Sequence, residues 1–347
     1  MSNLTLGLAI AGGLVLAAVV AHGAWSTRRN APRQAQPEAQ DSMDEGERQA
    51  GIEPSLDSSA FDEALMPPPP AERRPGGMDA LIDVIAPIAL DAPVSGDAAL
   101  AALPHTRRVG SKPFAIEGFN AQTRQWEVPA AGQRYAAFQA GVQLANRTGA
   151  LNEIEYSEFV MKAQAFADAV NGTPEFPEML DEVARARELD QFASAHDAQL
   201  GFTLRTRSAA WSPGYIQQHA ARMGFVPGAI PGRMVLPASK PGLPPILGLG
   251  FDPQAALAED PALSAIRAVT LNLDVPHVAR SEQPFVRMRE TADTLALAMD
   301  GVVTDDDGQP LFNDALDAIG ADLEGLYDTL EARDLAAGSA LARRLFS

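Results

Sequence analysis

Cysteine is absent from the 347 residues, so the chain can form no disulfide framework, no thiolate metal site and no thiol nucleophile. Basic residues are scarce: 27 Lys and Arg stand against 45 Asp and Glu, a formal net charge of −18, and they gather into no stripe. A nucleic-acid binder needs positive surface to displace counterions, so no nucleic acid is expected as a partner. Aromatic residues make up only 6%, yet hydrophobic residues reach 46%, which excludes wholly disordered and collagen-like classes. The five histidines, His22, His105, His196, His219 and His277, fall at no metal-ligand spacing and beside no nucleophile or acid partner. Gly248-Leu249-Gly250 lacks the third glycine and the helix start of a dinucleotide fingerprint, and reads as strand. Asp305-Asp306-Asp307-Gly308 reads as a solvated turn, since a calcium loop alternates its ligands and closes on a distant Glu. No cofactor, no metal and no enzymatic activity are expected. An enzyme working with carboxylates in a cleft, a third class of function, finds no constellation to rest on.

What is present begins with one long apolar run. Leu4 to Trp25 carries no charged residue and is long enough as a helix to cross roughly 30 Å of hydrocarbon. A signal peptide would carry positive charge before the run, whereas Met1 to Thr5 has none on its side chains. Arg28, Arg29 and Arg33 follow it, which by the positive-inside rule puts residues after 26 in the cytoplasm and the N-terminus outside. Residues 1–26 thus read as a single-pass transmembrane anchor. Trp25 suits its interface, and Gly12-Gly13 would let a second helix approach, giving weak self-association. Residues 27–104 are rich in Pro, Ala, Gln, Asp and Glu, with prolines at Pro67 to Pro70, and read as a mostly disordered spacer. Two short apolar pieces interrupt it, Phe61 to Met66 and Leu81 to Leu90. The second is either a docking segment or an apolar patch in a linker.

Beyond the spacer, residues 105–195 read as a helical unit with an N-terminal hairpin. Lys112 to Asn120 and the stretch around Trp126 suggest two strands, with Trp126 in the core. Tyr135, Phe138, Val142 and Ala145 recur at helical spacing, stopping at Thr148-Gly149. Tyr156, Phe159, Val160, Ala163, Phe166, Ala167 and Val170 form a second helical stripe, capped at Asn152 and ended near Gly172. A weaker helix runs from Pro177 to about Ser194.

From residue 196 to 335 the pattern becomes β-α-β-β-β-α-β-α, an α+β domain of split β-α-β type with a mostly antiparallel sheet covered by helices on one face. Leu200, Phe202 and Leu204 alternate with Gln199, Gly201, Thr203 and Arg205, a strand buried on one side. Ser212 caps the next helix, with Pro213 in its first turn and Gly224 at its end. Leu271, Leu273 and Val275 point inward, and Thr270, Asn272 and Asp274 outward. Phe285, Met288, Ala292, Leu295 and Met299 share a helix face, then a short strand at Gly301-Val302-Val303, then a final helix on Leu316, Ile319, Leu323, Leu326 and Leu330. Residues 336–347 read as a tail.

This order resembles the ZipA family over roughly residues 197 to 335. The resemblance rests on the strand ending Val275-Pro276, the helix carrying Phe285 nine residues after that proline, Gly301-Val302-Val303 entering Asp305-Asp306, and Gly224-Phe225 closing the first helix. The single span and Pro- and Gln-containing linker match the family's layout. The resemblance implies a scaffold in the bacterial inner membrane at the division septum, binding the C-terminal tail of FtsZ. In the family that tail lies across the sheet face free of helices, gripped by apolar side chains. Carried over by position, its contacts fall near Gln199, Ile230, Gly250 and Asn272, of which only Ile230 keeps an apolar character. The candidate FtsZ-tail site is therefore Gln199, Gly201, Thr203, Ile230, Met234, Gly248, Gly250, Thr270, Asn272 and Asp274. Its glycines either let a peptide lie close, lie under residues 105–195, or ease sheet curvature. The alternative to an FtsZ adaptor is a membrane-anchored interaction protein of the same fold with another cell-envelope partner.

Overall fold

In the computed structural model, which describes residues 32–35, 77–305 and 307–347, the end of the expected spacer is a central strand. Strand β1 (Asp83–Ser95) completely buries Val84, Ala86 and Ile88, in alternation with the more exposed Ile85, Pro87 and Ala89. This is the period-two pattern of a half-buried strand, hidden in the sequence by prolines and aspartates that pull the local composition toward disorder. The disordered reading is thus corrected for residues 83–102, and Leu81 to Leu90 proves to be the docking segment. The anchor expected at 4–25, and the spacer up to residue 76 apart from 32–35, lie outside the described residues. Among the described residues no helix is long and apolar enough to cross a membrane.

After β1 come α1 (Gly96–Ala102), β2 (Arg108–Val109), β3 (Lys112–Asn120), β4 (Trp126–Glu127), β5 (Arg134–Gln143) and the small hairpin β6 (Ala145–Asn146) with β7 (Gly149–Ala150). Helix α2 (Glu153–Ala169), β8 (Gly172–Pro174) and α3 (Met179–His196) complete this part. Its sheet runs β2-β3-β5-β1-β8, with β4 beside β3 and every pair antiparallel. Residues 105–195 are therefore not a helical unit behind a hairpin but the larger part of a sheet domain that begins with β1.

The helix expected over Tyr135 to Ala145 is strand β5, and the error has a physical source. Asn120 faces Tyr135 while Phe119 faces Ala137, so Ala136 is an extra, bulged residue. The bulge puts Tyr135 on the same buried face as Phe138, Ala140 and Val142, which turns strand alternation into apparent helical spacing. Trp126 is likewise not in the core: it is 44% exposed and lies against Phe119, ring centroids 5.4 Å apart, on the face away from the helices. Helix α2 follows expectation. Asn152 accepts from Ile154 and Glu155, Glu155 returns the contact in a capping box, and Tyr156, Phe159, Ala163 and Phe166 are buried.

The second part comprises β9 (Gln199–Thr206), α4 (Pro213–Arg222), β10 (Val226–Pro227), β11 (Arg233–Leu236), β12 (Leu247–Gly250), α5 (Pro253–Ala256), β13 (Ala268–Asp274), α6 (Pro284–Met299), β14 (Gly301–Thr304) and α7 (Asn313–Glu331). Its antiparallel sheet has the order β10-β11-β12-β13-β9-β14. Mixed α+β architecture with antiparallel sheets is as expected. Ser212 caps α4 by accepting from Tyr215, Pro213 opens the helix, and Gly224 closes it at φ 88°.

The two parts share one topology. Strand β1, then α1, then β3, β5, α2, β8 and α3 correspond to β9, α4, β12, β13, α6, β14 and α7, and the sheet order β3-β5-β1-β8 corresponds to β12-β13-β9-β14. The registers agree as well. Asp83 faces Gln143 as Gln199 faces Asp274, Ala89 faces Ala137 as Arg205 faces Ala268, and Leu90 faces Gly172 as Thr206 faces Gly301. Ser95 caps α1 as Ser212 caps α4, each accepting from the residue three positions on. Along α2 and α6 the buried residues coincide at a constant offset: Tyr156 with Phe285, Phe159 with Met288, Ala163 with Ala292, Phe166 with Leu295 and Val170 with Met299. Both helices end in a left-handed residue before glycine, Asn171 at φ 52° and Asp300 at φ 54°. The glycines are required by close approach: a Cβ on Gly172 would lie 2.7 Å from Ile88 Cγ2, and one on Gly301 3.1 Å from the Arg205 carbonyl.

Residues 336–347 are not a tail. Helix α8 (Ala340–Leu345) is wedged against both parts, with Ala342, Leu345 and Phe346 buried. Arg344 pairs with the buried Asp83 at 2.5 Å, and the Arg344 carbonyl accepts from Gln143 Nε2. The Phe346 carbonyl lies 2.9 Å from His277 Nε2, which joins α8 to the end of β13. Arg33, within the expected spacer, forms a parallel bridge with Trp211, and its guanidinium pairs with Asp300 at 2.8 Å.

Candidate functional site

The helices α6 and α7 pack on one side of the second sheet, where Phe202, Leu204, Met234, Leu249, Val269, Leu271 and Leu273 are buried. Period-two alternation then forces the intervening residues to the other side. Directly opposed residues share a face, so the register assembles Gln199 with Asp274, Gly201 with Asn272, Asn272 with Gly248, and Thr270 with Gly250. Seven of the ten expected site residues, Gln199, Gly201, Gly248, Gly250, Thr270, Asn272 and Asp274, thus meet on one accessible face. Six of them, all but Gly248, line an open groove of about 750 Å³ whose walls include Arg233, Asp252 and Pro253.

Three residues stand elsewhere. Met234 is 3% exposed and opposes Leu249, so it belongs to the core rather than to the groove. Ile230 is 60% exposed but lies in the turn before β11, off the sheet, with its carbonyl accepting from Arg233. Thr203 is on the open face yet buried, because β14 pairs beside it and Thr304 donates its hydroxyl to the Thr203 carbonyl. In their place the structure brings Arg233 and Val235, opposite Gly250 and Gly248. Their outward direction follows from alternation with Met234, a signal already present in the sequence.

Gly248 and Gly250 on this face are not needed for packing within the chain. A Cβ on Gly248 would meet Asn272 Cβ at 4.0 Å, and one on Gly250 would meet Arg233 at 3.5 Å, both ordinary contacts. They keep the floor low, and the groove is correspondingly polar and shallow.

One end of the groove is built by the first part of the chain. Arg147, in the turn between β6 and β7, donates to both carboxylate oxygens of Asp197 at 2.8 and 2.6 Å and to both of Asp274 at 2.8 Å. With its amide oriented to present oxygen, Gln199 also accepts from Arg147 at 2.9 Å. The hydrogen bonds it donates to Asp197 and then to Asp274 hold the guanidinium even more firmly protonated than an ordinary arginine. Two paired carboxylates around a fixed cation make a structural clasp. Residues 105–195 therefore frame the floor at this end and do not lie across it. No sequence pattern singles out Arg147, since its partners are 50 and 127 residues away.

Among the described residues no group of three His, Asp or Glu side chains is placed to hold a metal ion. The second part is thus an antiparallel sheet with helices on one side and, among the described residues, an open groove on the other. Residues 258–321, which carry β13, α6, β14 and the start of α7, match the family model described as ZipA, C-terminal FtsZ-binding domain, and the match supports a ZipA family protein. The matched family is one of binding domains rather than of enzymes. No curated protein matched the chain.

Proposed function

We propose that this protein is a membrane-tethered cell-division adaptor, which binds the C-terminal tail of FtsZ and holds its filaments at the bacterial inner membrane at the septum. The observation that carries this reading is the family match over residues 258–321, because those residues supply a central strand and a helix of the module that bears the open groove. The uncharged run from Leu4 to Trp25, followed by Arg28 and Arg29, supports a single span with the described domains in the cytoplasm. The FtsZ tail is assigned to the face of Gln199, Gly201, Gly248, Gly250, Thr270, Asn272 and Asp274. The polar floor of that groove favours, as a second reading, another cell-envelope partner. The test is co-sedimentation of the full chain, reconstituted in lipid vesicles, with FtsZ filaments. Vesicles should pellet with filaments of intact FtsZ and stay in solution with FtsZ lacking its tail. Equal recruitment by both forms would overturn tail recognition.

A further inference from the structure

We propose that the first sheet carries a second peptide-binding face, and that this face supplies the apolar grip which the groove on the second sheet lacks. The inference rests on the function proposed above, because it takes the same occupant: an apolar tail peptide with a carboxylate in or beside it. Since the two sheets agree in topology and register, every floor position of the second has a counterpart on the first. Ile85 stands where Gly201 stands, Pro87 where Thr203 does, Ala115 where Gly248 does, Gln139 where Thr270 does, and Glu117 where Gly250 does. The chemistry at these positions is different. On the first sheet Ile85, Pro87, Ala89, Ala137, Phe119 and Trp126 share the face turned away from α2 and α3.

Trp126 is the informative residue. Folding leaves it 44% exposed against Phe119, and Ala89 and Pro87 beside them are exposed as well. Large aromatics that remain accessible beside small apolar side chains are the ones that dominate peptide and protein interfaces, and Glu117 on the same face is buried and already accepts from the Met78 amide and Gln139 Nε2. Arg124 places its guanidinium 5.9 Å from the Phe119 ring centroid, which gives this edge of the face a positive charge in a strongly acidic chain. An apolar peptide bearing a carboxylate complements both features.

Among the described residues, Pro87, Ala89 and Trp126 of this face are exposed. Met78 covers its other end, at Gly141 opposite Ile85, where a Cβ on Gly141 would lie 2.5 Å from the Met78 sulfur and where the Met78 amide donates to Glu117. The equivalent end of the second sheet is the one framed by Arg147. Each copy is thus closed at one end and open along the rest.

The experiment is a titration of the full chain, reconstituted in lipid nanodiscs, with a fluorescent peptide of the FtsZ C-terminal tail, read by anisotropy and by stoichiometry. Wild type should take two peptides per chain, and Trp126→Ala and Ala89→Arg should each remove the tighter site, weakening it at least tenfold. Thermal unfolding of the same samples establishes that each variant is folded, and the two substitutions sit on different strands so that one can stand in for the other. Loss of all binding in both variants also supports the second face, and removes the tail from the second sheet. A single site untouched by either substitution but abolished by Asn272→Trp would overturn the inference while leaving the adaptor reading intact. No saturable binding by wild type would overturn both.

Discussion

At the scale of single residues, burial and neighbouring charge set behaviours that titration can read. His219 on α4 stacks beside Tyr215 and faces Arg222 and Arg33; burial first, then the two guanidinium groups, hold its imidazole below the ordinary histidine range. The unfolded chain therefore takes up this proton before the folded one does, starting near pH ~6.5. Stability should be undiminished above that pH and fall as pH drops through the depressed value. His219→Gln should remove this component, so that the gap between variant and wild-type denaturation midpoints moves in the variant's favour between pH 7.5 and 5.5. A constant gap would refute the assignment. The open face was legible in the sequence at this scale because it needs only alternation: Thr270, Asn272 and Asp274 outward follow from Leu271 and Leu273 inward. Ile230 was misplaced by the position-by-position transfer, which carried a contact into a turn, and Met234, included in the site beside it, lies in the core.

Among elements, those with a complete local signal were legible and those whose signal was interrupted were not. Helix α2 announces itself through a stripe, an asparagine cap and a glutamate three residues on; Asn152→Ala should therefore cost about 1 kcal/mol, measured as a lower denaturation midpoint. A change within a few tenths of a kcal/mol would mean that packing alone holds the helix start. Strand β5 was read as helix because one bulged residue, Ala136, shifted its buried face by one position. Strand β1 was missed because its flanks resemble linker. With both strands misassigned, the correspondence between the two sheets could not be seen, and the residues do not reveal it unaided: Phe159 corresponds to Met288 and Phe166 to Leu295, which keep burial but not identity. The repeat lives in topology and register, which the sequence encodes only through long-range pairing.

For the whole molecule, the two copies are joined less by a linker than by helix α8. Asp83 is 2% exposed, its carboxyl is pushed up by burial against the opposing pull of Arg344, and it has that guanidinium as its charge partner. Arg344→Ala would leave the carboxylate buried without its cation, so a loss of about 3–5 kcal/mol is expected in chemical denaturation. Asp83→Asn in the same background should recover part of it; an undisturbed midpoint in Arg344→Ala would show that the pair contributes nothing. Two peptide faces on one chain would also raise apparent affinity for a filament, since the second tail binds at the high local concentration set by the first. Arg344 has one further role, as it also donates to the Gly77 carbonyl at 3.0 Å, ahead of the turn that leads into β1. Residues 32–35 are held separately, by the Arg33 bridge to Trp211 and its ion pair with Asp300, so a load applied on the N-terminal side meets the second part through Arg33 before it reaches β1.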